Sequence, residues 1–138
     1  MTPKFTKHIS VSCAIIEQDG LVFVAQRSAA MTLPLKWELP GGKIKEGESP
    51  TACLQREILE ELGVHIQITR TLPESTYQYP EFTVTLYPFV CTILKGKIKL
   101  SEHADMVWLP PSKLAELDWA EADLPVVDSY CQQLKREA

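Results

Sequence analysis

Residues 42–64 read GKIKEGESPTACLQREILEELGV, and this stretch is the most informative part of the chain. It contains a helix with a suitable residue at each end. Ser49 suits the N-cap, Pro50 the first helical position, and Gly63 the residue that follows the last turn. Between these ends, apolar residues recur at about 100° per residue and share one face: Ala52, Leu54, Ile58, Leu59 and Leu62. We expect that face to pack against a core.

The opposite face of the same helix carries Glu57, Glu60 and Glu61, with Arg56 at its margin. Glutamates one turn apart repel each other, and the last turn is also where the helix dipole disfavours anions. Each conflict costs up to about 1 kcal/mol. Hard divalent cations with oxygen ligands, Mg²⁺ or Mn²⁺, would offset that cost. A solvated acidic surface is the alternative interpretation of the glutamates taken alone.

A double-glycine loop, Gly41-Gly42-Lys43, precedes the helix and permits a close approach of the backbone. With Gly42, Glu48 and Gly63 in register with the helix, the whole stretch resembles the Nudix box, and every fixed position of that pattern is filled. The resemblance implies an α/β fold, the Nudix α/β/α sandwich with a mixed β-sheet, for residues 1–138 as a single domain. It also implies an enzyme, a Nudix hydrolase that cleaves a diphosphate attached to another group.

The resemblance further implies a metal site for Mg²⁺, with Mn²⁺ able to substitute. The implied metal ligands are the carbonyl of Gly41 and the carboxylates of Glu57, Glu60, Glu61 and Glu102, the last on a loop before the final strand. Either Glu57 or Glu102 would be the general base. Arg56 would orient the glutamates, and Glu48 would help to position metal or water.

Segments outside the box resemble the MutT-like branch, which hydrolyses nucleoside triphosphates to monophosphate and pyrophosphate. These segments are WELPGGK at 37–43, EH at 102–103 followed by VWL at 107–109, and ADLPV at 122–126. By this resemblance Arg27 lines the nucleotide pocket and Lys43 lies near the phosphates. Tyr79 would stack on the base and Asp123 would read its edge. A role in sanitation of the nucleotide pool is the implied physiology.

The preferred base stays open. MutT-like members matched to oxidised guanine often carry asparagine at the position of Asp123, whereas an ionised aspartate only accepts hydrogen bonds. It would suit the N4 amino group of cytosine or the N1/N2 edge of guanine, and relatives described as cytidine triphosphate pyrophosphohydrolases carry the same Ala-Asp-x-Pro run. Structural alternatives remain for both base-side residues: Asp123 as the N-cap of a following helix, and Tyr79 as a core residue. His103 is either a base or a surface histidine.

Composition limits the partners. The 138 residues carry a formal net charge of −4, so the chain offers no general basic surface for duplex nucleic acid. The expected partner is a small-molecule nucleotide, with the protein a monomer or homodimer. The start MTPKFTKHISV lacks an apolar leader, and no run reaches membrane-spanning length, so we expect a cytoplasmic protein without membrane contact. The four cysteines lack metal-site spacing and are expected to be buried thiols.

Two other function classes remain. One is a Nudix hydrolase of a dinucleotide or nucleotide sugar; the other is a nucleotide-sensing module without catalysis.

Secondary structure is predicted as follows: strand 8–17, a turn at 18–20, strand 21–27, a loop at 28–36, the box helix, strands 65–72 and 77–94 (the latter interrupted near Pro80 and Pro88), a turn at 95–97, strand 106–109, a short helix from 110 to 117, and a helix over 124–135.

Overall fold

The computed structural model of the protein describes residues 7–137. Its elements are the strands β1 (Lys7–Gln18), β2 (Leu21–Gln26), β3 (Trp37–Glu38), β4 (Gly41–Lys43), β5 (His65–Thr71), β6 (Ser75–Gln78), β7 (Phe82–Lys95) and β8 (Asp105–Leu109), the helices α1 (Pro50–Leu62) and α2 (Leu124–Glu137), and the 3-10 helices Pro111–Glu116 and Glu121–Asp123. Within this part of the chain, none of the helices has the length and apolarity needed to cross a membrane.

The strands form one mixed eight-stranded sheet around β1. Strand β1 pairs in parallel with β7, with Val11 opposite Leu86, and antiparallel with β2 and β4. On one side β2 pairs with β3 and β8; on the other, β7 pairs with β5 and β6. The predicted mixed sheet is confirmed.

Alternating residues of β1 supply two separate cores, one on each face of the sheet. Cys13 and Ile15 belong to the core that contains Val126 and Tyr130 of α2. Ala14 and Ile16 belong to the other core, together with the apolar residues of α1: Leu54, Ile58 and Leu62. Side chains on a strand point alternately to opposite faces, so a continuous apolar strand requires a helix on each side. This arrangement is the α/β/α sandwich that the sequence predicted.

Helix α1 begins and ends where its sequence indicates. The Ser49 hydroxyl accepts a hydrogen bond from the N–H of Ala52 at 3.1 Å, and Pro50 is the first helical residue. Gly63 adopts the left-handed conformation with φ of 72° and donates its N–H to the carbonyl of Leu59 at 3.0 Å. Both capping predictions are confirmed.

The buried face of α1 differs from the predicted one. Leu59 is 42% exposed and Ala52 is also exposed, whereas Cys53 is fully buried. The buried face is narrower than the apolar arc, because the sheet covers only the side centred on Leu54 and Ile58. Like Cys53, Cys13 and Cys91 are buried free thiols, and Cys131 is half-buried.

Other differences concern prolines. The turn at 18–20 is confirmed, with positive φ at Asp19 and Gly20, and Pro80 does lie in the break between β6 and β7. Pro88, in contrast, lies within β7 opposite Cys13, so the second predicted interruption is wrong. Its carbonyl still accepts a hydrogen bond from Leu72, and only its missing N–H is lost to the sheet. The predicted helix after Pro110 is a 3-10 helix.

Candidate active site

A cleft of about 500 Å³ brings most of the sequence-predicted site residues together. Its lining includes Gly41, Gly42, Lys43, Glu57, Glu60, Glu61 and Glu102, and also Arg27, Tyr79 and Asp123. We call Glu57, Glu60, Glu61 and Glu102 the acidic wall. Two predicted site residues, Glu48 and Arg56, are not part of the lining.

The glycine pair lets strand β4 pass close to its neighbours. A Cβ atom on Gly41 would come within 1.9 Å of the Ser12 carbonyl oxygen on β1. A Cβ atom on Gly42 would come within 2.2 Å of the carboxyl carbon of Glu57. Any side chain at Gly42 would therefore displace Glu57, so this glycine is required by the position of a glutamate of the acidic wall.

Arg56 lies behind the acidic wall and contacts the carboxylates of Glu48, Glu57 and Glu60. Its Nε and Nη2 atoms form a two-pronged pair with Glu48, at 2.7 and 2.9 Å. Its Nη1 atom donates to Glu57 at 2.8 Å and to Glu60 at 3.3 Å. The hydrogen bonds from Arg56 and then from the N–H of Lys45 lower the pKa of Glu48 to about 2. Glu48 is thus an anion held by Arg56, and Arg56 fixes the orientation of Glu57.

Glu61 carries the electrostatic conflict that the sequence predicted for this helix. Burial first, then the neighbouring Glu57 carboxyl and the charges of Glu38 and Glu102, together raise the pKa of Glu61 to about 9. The carboxylates are therefore crowded enough that one of them holds a proton in the absence of a cation.

The predicted metal ligands share one wall but are not yet assembled around a common point. Among residues 7–137, no three His, Cys, Asp or Glu side chains are grouped closely enough to form a ready metal site. Glu57 and Glu60 are instead directed to Arg56. The donor set nevertheless fits a hard divalent cation, because it consists of carboxylate oxygens and the Gly41 carbonyl, and because the crowding at Glu61 is relieved by positive charge.

A second cluster in the cleft consists of Arg27, Glu38 and His103. Arg27 donates from Nη1 to Glu38 at 2.7 Å, and its Nε and Nη2 atoms donate to the carbonyl and hydroxyl of Thr32. The other carboxylate oxygen of Glu38 lies 2.8 Å from Nε2 of His103. The side chain of His103 is only 4% exposed, so the surface alternative for this histidine is wrong.

Asp123 is buried, with 7% of its surface exposed, and contacts a strand end far away in sequence. Its Oδ2 atom accepts the N–H of Leu39 at 2.8 Å. The residue ends a 3-10 helix and directly precedes α2, so it occupies the predicted N-cap position, but this hydrogen bond goes to Leu39 and not to the first turn of α2. Burial, aided by the charge of Glu38, raises the pKa of Asp123 to about 7 even though the Leu39 N–H and Arg27 lower it. At neutral pH both forms are present, and the protonated form can donate as well as accept.

Tyr79 lies in the short segment between β6 and β7 and lines the cleft. Its hydroxyl accepts the N–H of Ala122 at 3.0 Å, and its ring stacks on Phe82 with centroids 4.9 Å apart. These contacts tie Tyr79 to the residue before Asp123. An aromatic surface formed by Tyr79 and Phe82 therefore adjoins the buried carboxyl group.

Comparison with known proteins identifies the family. The model of the NUDIX domain matches residues 6–130. The chain belongs to the Nudix family. It is 31% identical over 124 residues to CTP pyrophosphohydrolase of Escherichia coli (strain K12), covering 90% of this chain and 92% of that protein. It is 34% identical over 116 residues to putative 8-oxo-dGTP diphosphatase 2 of Mycobacterium tuberculosis (strain ATCC 25618 / H37Rv), and that match covers 83% of this chain and 82% of the relative. The crystal structure of MutT protein from Methanosarcina mazei Go1 superposes with a TM-score of 0.83 at 24% identity, over 98% of each chain.

The chain is therefore a Nudix hydrolase with MutT-like relatives, and Nudix hydrolases generally use divalent metals. The cleft residues that the sequence did not assign to the site include Glu38 and His103. Each adjoins a motif residue, Glu38 in the segment before Gly41 and His103 next to Glu102, but their contact joins positions 65 residues apart. No local pattern reports such a contact.

Proposed function

We propose that this Nudix hydrolase cleaves nucleoside triphosphates to nucleoside monophosphate and pyrophosphate with Mg²⁺, for which Mn²⁺ can substitute. The observation that carries the proposal is one cleft that contains both the acidic wall and the buried carboxyl of Asp123 beside aromatic rings. Such a cleft matches a substrate with a polyphosphate at one end and a base at the other. The relatives named as a CTP pyrophosphohydrolase and a putative 8-oxo-dGTP diphosphatase support it.

The acidic wall and the Gly41 carbonyl would hold the metal. A bound divalent cation supplies charge neutralisation for the phosphate oxygens and lowers the pKa of a coordinated water. The protein contributes orientation, because Arg56 holds Glu57 and Glu60 from behind and Gly42 leaves room for Glu57. Lys43, exposed at the mouth, is suited to meet the phosphates as a point charge.

Two carboxylates are available to accept the proton of the attacking water. Glu57 is fixed by Arg56 and neighbours Glu61 in the acidic wall. Glu102 is exposed at the cleft and lies on the loop before β8. Both are candidates for the general base, and the variants Glu57→Gln and Glu102→Gln distinguish them. The variant that lacks the general base should lose the fall of kcat at low pH that protonation of the base causes in the wild type.

The base would lie between the aromatic surface and Asp123. Tyr79 and Phe82 offer ring area for stacking, and the carboxyl of Asp123 offers hydrogen bonds to a base edge. One of its oxygens is occupied by the N–H of Leu39, which leaves the rest of the group for the ligand. Arg27 is held by Glu38 and Thr32, so its role would be to shape the pocket rather than to move toward the substrate.

A substrate screen tests the proposal. Pyrophosphate release with Mg²⁺ is measured for all common ribo- and deoxyribonucleoside triphosphates, 8-oxo-dGTP and 5-methyl-dCTP, alongside a dinucleotide and a nucleotide sugar. We expect turnover of at least one triphosphate and little of the other classes. The assignment would be overturned if a dinucleotide or nucleotide sugar were cleaved to two phosphorylated fragments while no triphosphate was hydrolysed. Absence of turnover for every compound, with the nucleotides still binding, would indicate a sensing module.

A further inference from the structure

We propose that His103 is a positioning residue that links Glu38 to the metal-binding carboxylate of Glu61. The proposal rests on the proposed function, since it concerns how a carboxylate of the acidic wall is held for the metal. Its basis is the placement of one imidazole ring between two carboxyl groups that come from different elements of the fold: Glu38 from β3 and Glu61 from α1.

The burial of His103 sets it apart from its neighbours. Its side chain is 4% exposed, while the adjacent Glu102 and Ala104 are exposed. Burying the polar atoms of an imidazole is unfavourable unless they form hydrogen bonds, so such a ring in an otherwise exposed loop needs partners. One partner is clear: Nε2 lies 2.8 Å from Oε2 of Glu38.

The other ring nitrogen is the informative one. Nδ1 of His103 is buried and has no hydrogen-bond partner among the described residues. It lies 3.9 Å from Oε2 of Glu61. Hydrogen bonds of this kind span about 2.7–3.2 Å, so a shift of about 1 Å would complete the contact. The unpartnered atom therefore faces one of the proposed metal ligands.

The surrounding contacts hold the ring in this place. Glu38 is itself fixed on its other oxygen by Arg27, at 2.7 Å, so the nitrogen that meets Glu38 has a rigid partner. The loop that carries His103 is attached at both ends: the N–H of Ser101 donates to the carbonyl of Glu61, and the N–H of Ala104 donates to the carbonyl of Gln26. The ring has little freedom to turn away from Glu61.

These contacts give the two oxygens of the Glu61 carboxylate different roles. One oxygen would take the metal, and His103 would hold the other, which fixes the carboxylate plane. Partners of this kind typically change metal affinity or activity by about tenfold to a hundredfold when removed. A ring that only anchored the loop would instead contribute to stability without affecting the metal.

Amide substitutions separate the two ring nitrogens. The side-chain amide of asparagine reaches about as far as Nδ1, whereas that of glutamine reaches about as far as Nε2. His103→Asn thus keeps a group for Glu61, His103→Gln keeps one for Glu38, and His103→Ala keeps neither. His65→Asn, at an exposed histidine at the start of β5, is the matched control.

Metal binding is measured without nucleotide, as the Mn²⁺ dissociation constant by electron paramagnetic resonance and as the rise in Tm on adding Mg²⁺. We expect His103→Ala and His103→Gln to weaken Mn²⁺ binding by about tenfold to a hundredfold and to shrink the Mg²⁺-induced rise. His103→Asn should recover most of the affinity. With the best nucleotide, kcat should fall in the same order while KM changes little.

Several results would overturn the proposal. They are wild-type Mn²⁺ affinity in His103→Ala, equal affinities in His103→Asn and His103→Gln, or a Tm lowered equally with and without Mg²⁺. If the alanine variant does not fold, the two amide variants decide alone. A wild-type protein that binds no Mn²⁺ would refute the metal site itself, which separates failure of the proposed function from failure of this inference.

Discussion

The replacement Asp123→Asn should change how the stability of this protein depends on pH. Asp123 is buried, and burial raises its pKa to about 7, compared with about 3.9 for a solvated aspartate. Between those values the folded state holds a proton that the unfolded chain has released. The folded state then binds more protons, so the free energy of unfolding falls as pH rises.

The size of the effect follows from the same pKa difference. The contribution of Asp123 to the free energy of unfolding falls by up to about 1.4 kcal/mol per pH unit inside this window. The fall amounts to about 2 kcal/mol between about pH 5 and pH 7, and the contribution is constant above about pH 8. Asparagine does not titrate, and its amide oxygen can still accept the N–H of Leu39. Asp123→Asn should therefore gain stability relative to the wild type by about that amount as pH rises.

Urea unfolding of both proteins across this pH range, without metal or nucleotide, measures the difference directly. All other titrating groups are common to both proteins, so their contributions cancel in the difference between the two free energies of unfolding. Asp128→Asn, at an exposed position on α2, is the matched control and should show no such trend. A difference between wild type and Asp123→Asn that stays constant with pH would mean that Asp123 is ionised throughout. The reasoning from its burial would then be wrong.

The remaining predictions concern the substrate base, the glycine loop and Arg56. Asp123→Ala should lower kcat/KM for the best nucleotide by about tenfold to more than a hundredfold, since a base donor or acceptor loses its partner; equal losses for all nucleotides would refute base reading. Gly42→Ala should lower kcat strongly, because the new Cβ atom would come within 2.2 Å of the Glu57 carboxyl carbon. In the control Gly47→Ala the new Cβ atom has no neighbour within 4 Å, so this variant should lose only stability; equal kcat values for the two variants would contradict the prediction. Arg56→Lys should lower kcat about tenfold or more while the fold persists, because an ammonium cannot form the fork with Glu48; unchanged kcat would show that orientation by Arg56 is dispensable.

The box helix could be predicted from sequence because its signals are local. Ser49, Pro50 and Gly63 specify its ends through contacts within a few residues, and the glutamate spacing specifies its acidic face. The mixed sheet followed from the family resemblance and from apolar strands. The exposure of Leu59 could not be predicted in the same way. Leu59 lies on the apolar side of the helix, but the sheet does not extend over it, and the extent of the sheet is not a local property of the sequence.

The parts of the site that were missed depend on distant pairs. The contact between His103 and Glu38, and that between Asp123 and the N–H of Leu39, join residues 65 and 84 positions apart. The sequence likewise predicts an ionised Asp123, because the residues that bury it are distant along the chain. Its raised pKa results from burial by the surrounding fold, to which its immediate neighbours in sequence give no clue.

The central claim, hydrolysis of a nucleoside triphosphate by a metal held on the acidic wall, is tested most directly by product analysis on one matched pair of variants. Phosphorus NMR follows the best triphosphate with Mg²⁺ for the wild type, for Glu60→Gln, and for Glu116→Gln at an exposed position outside the cleft. The account predicts monophosphate and pyrophosphate from the wild type and Glu116→Gln, and severely reduced turnover by a folded Glu60→Gln. Direct release of orthophosphate, or wild-type turnover by Glu60→Gln, would contradict it.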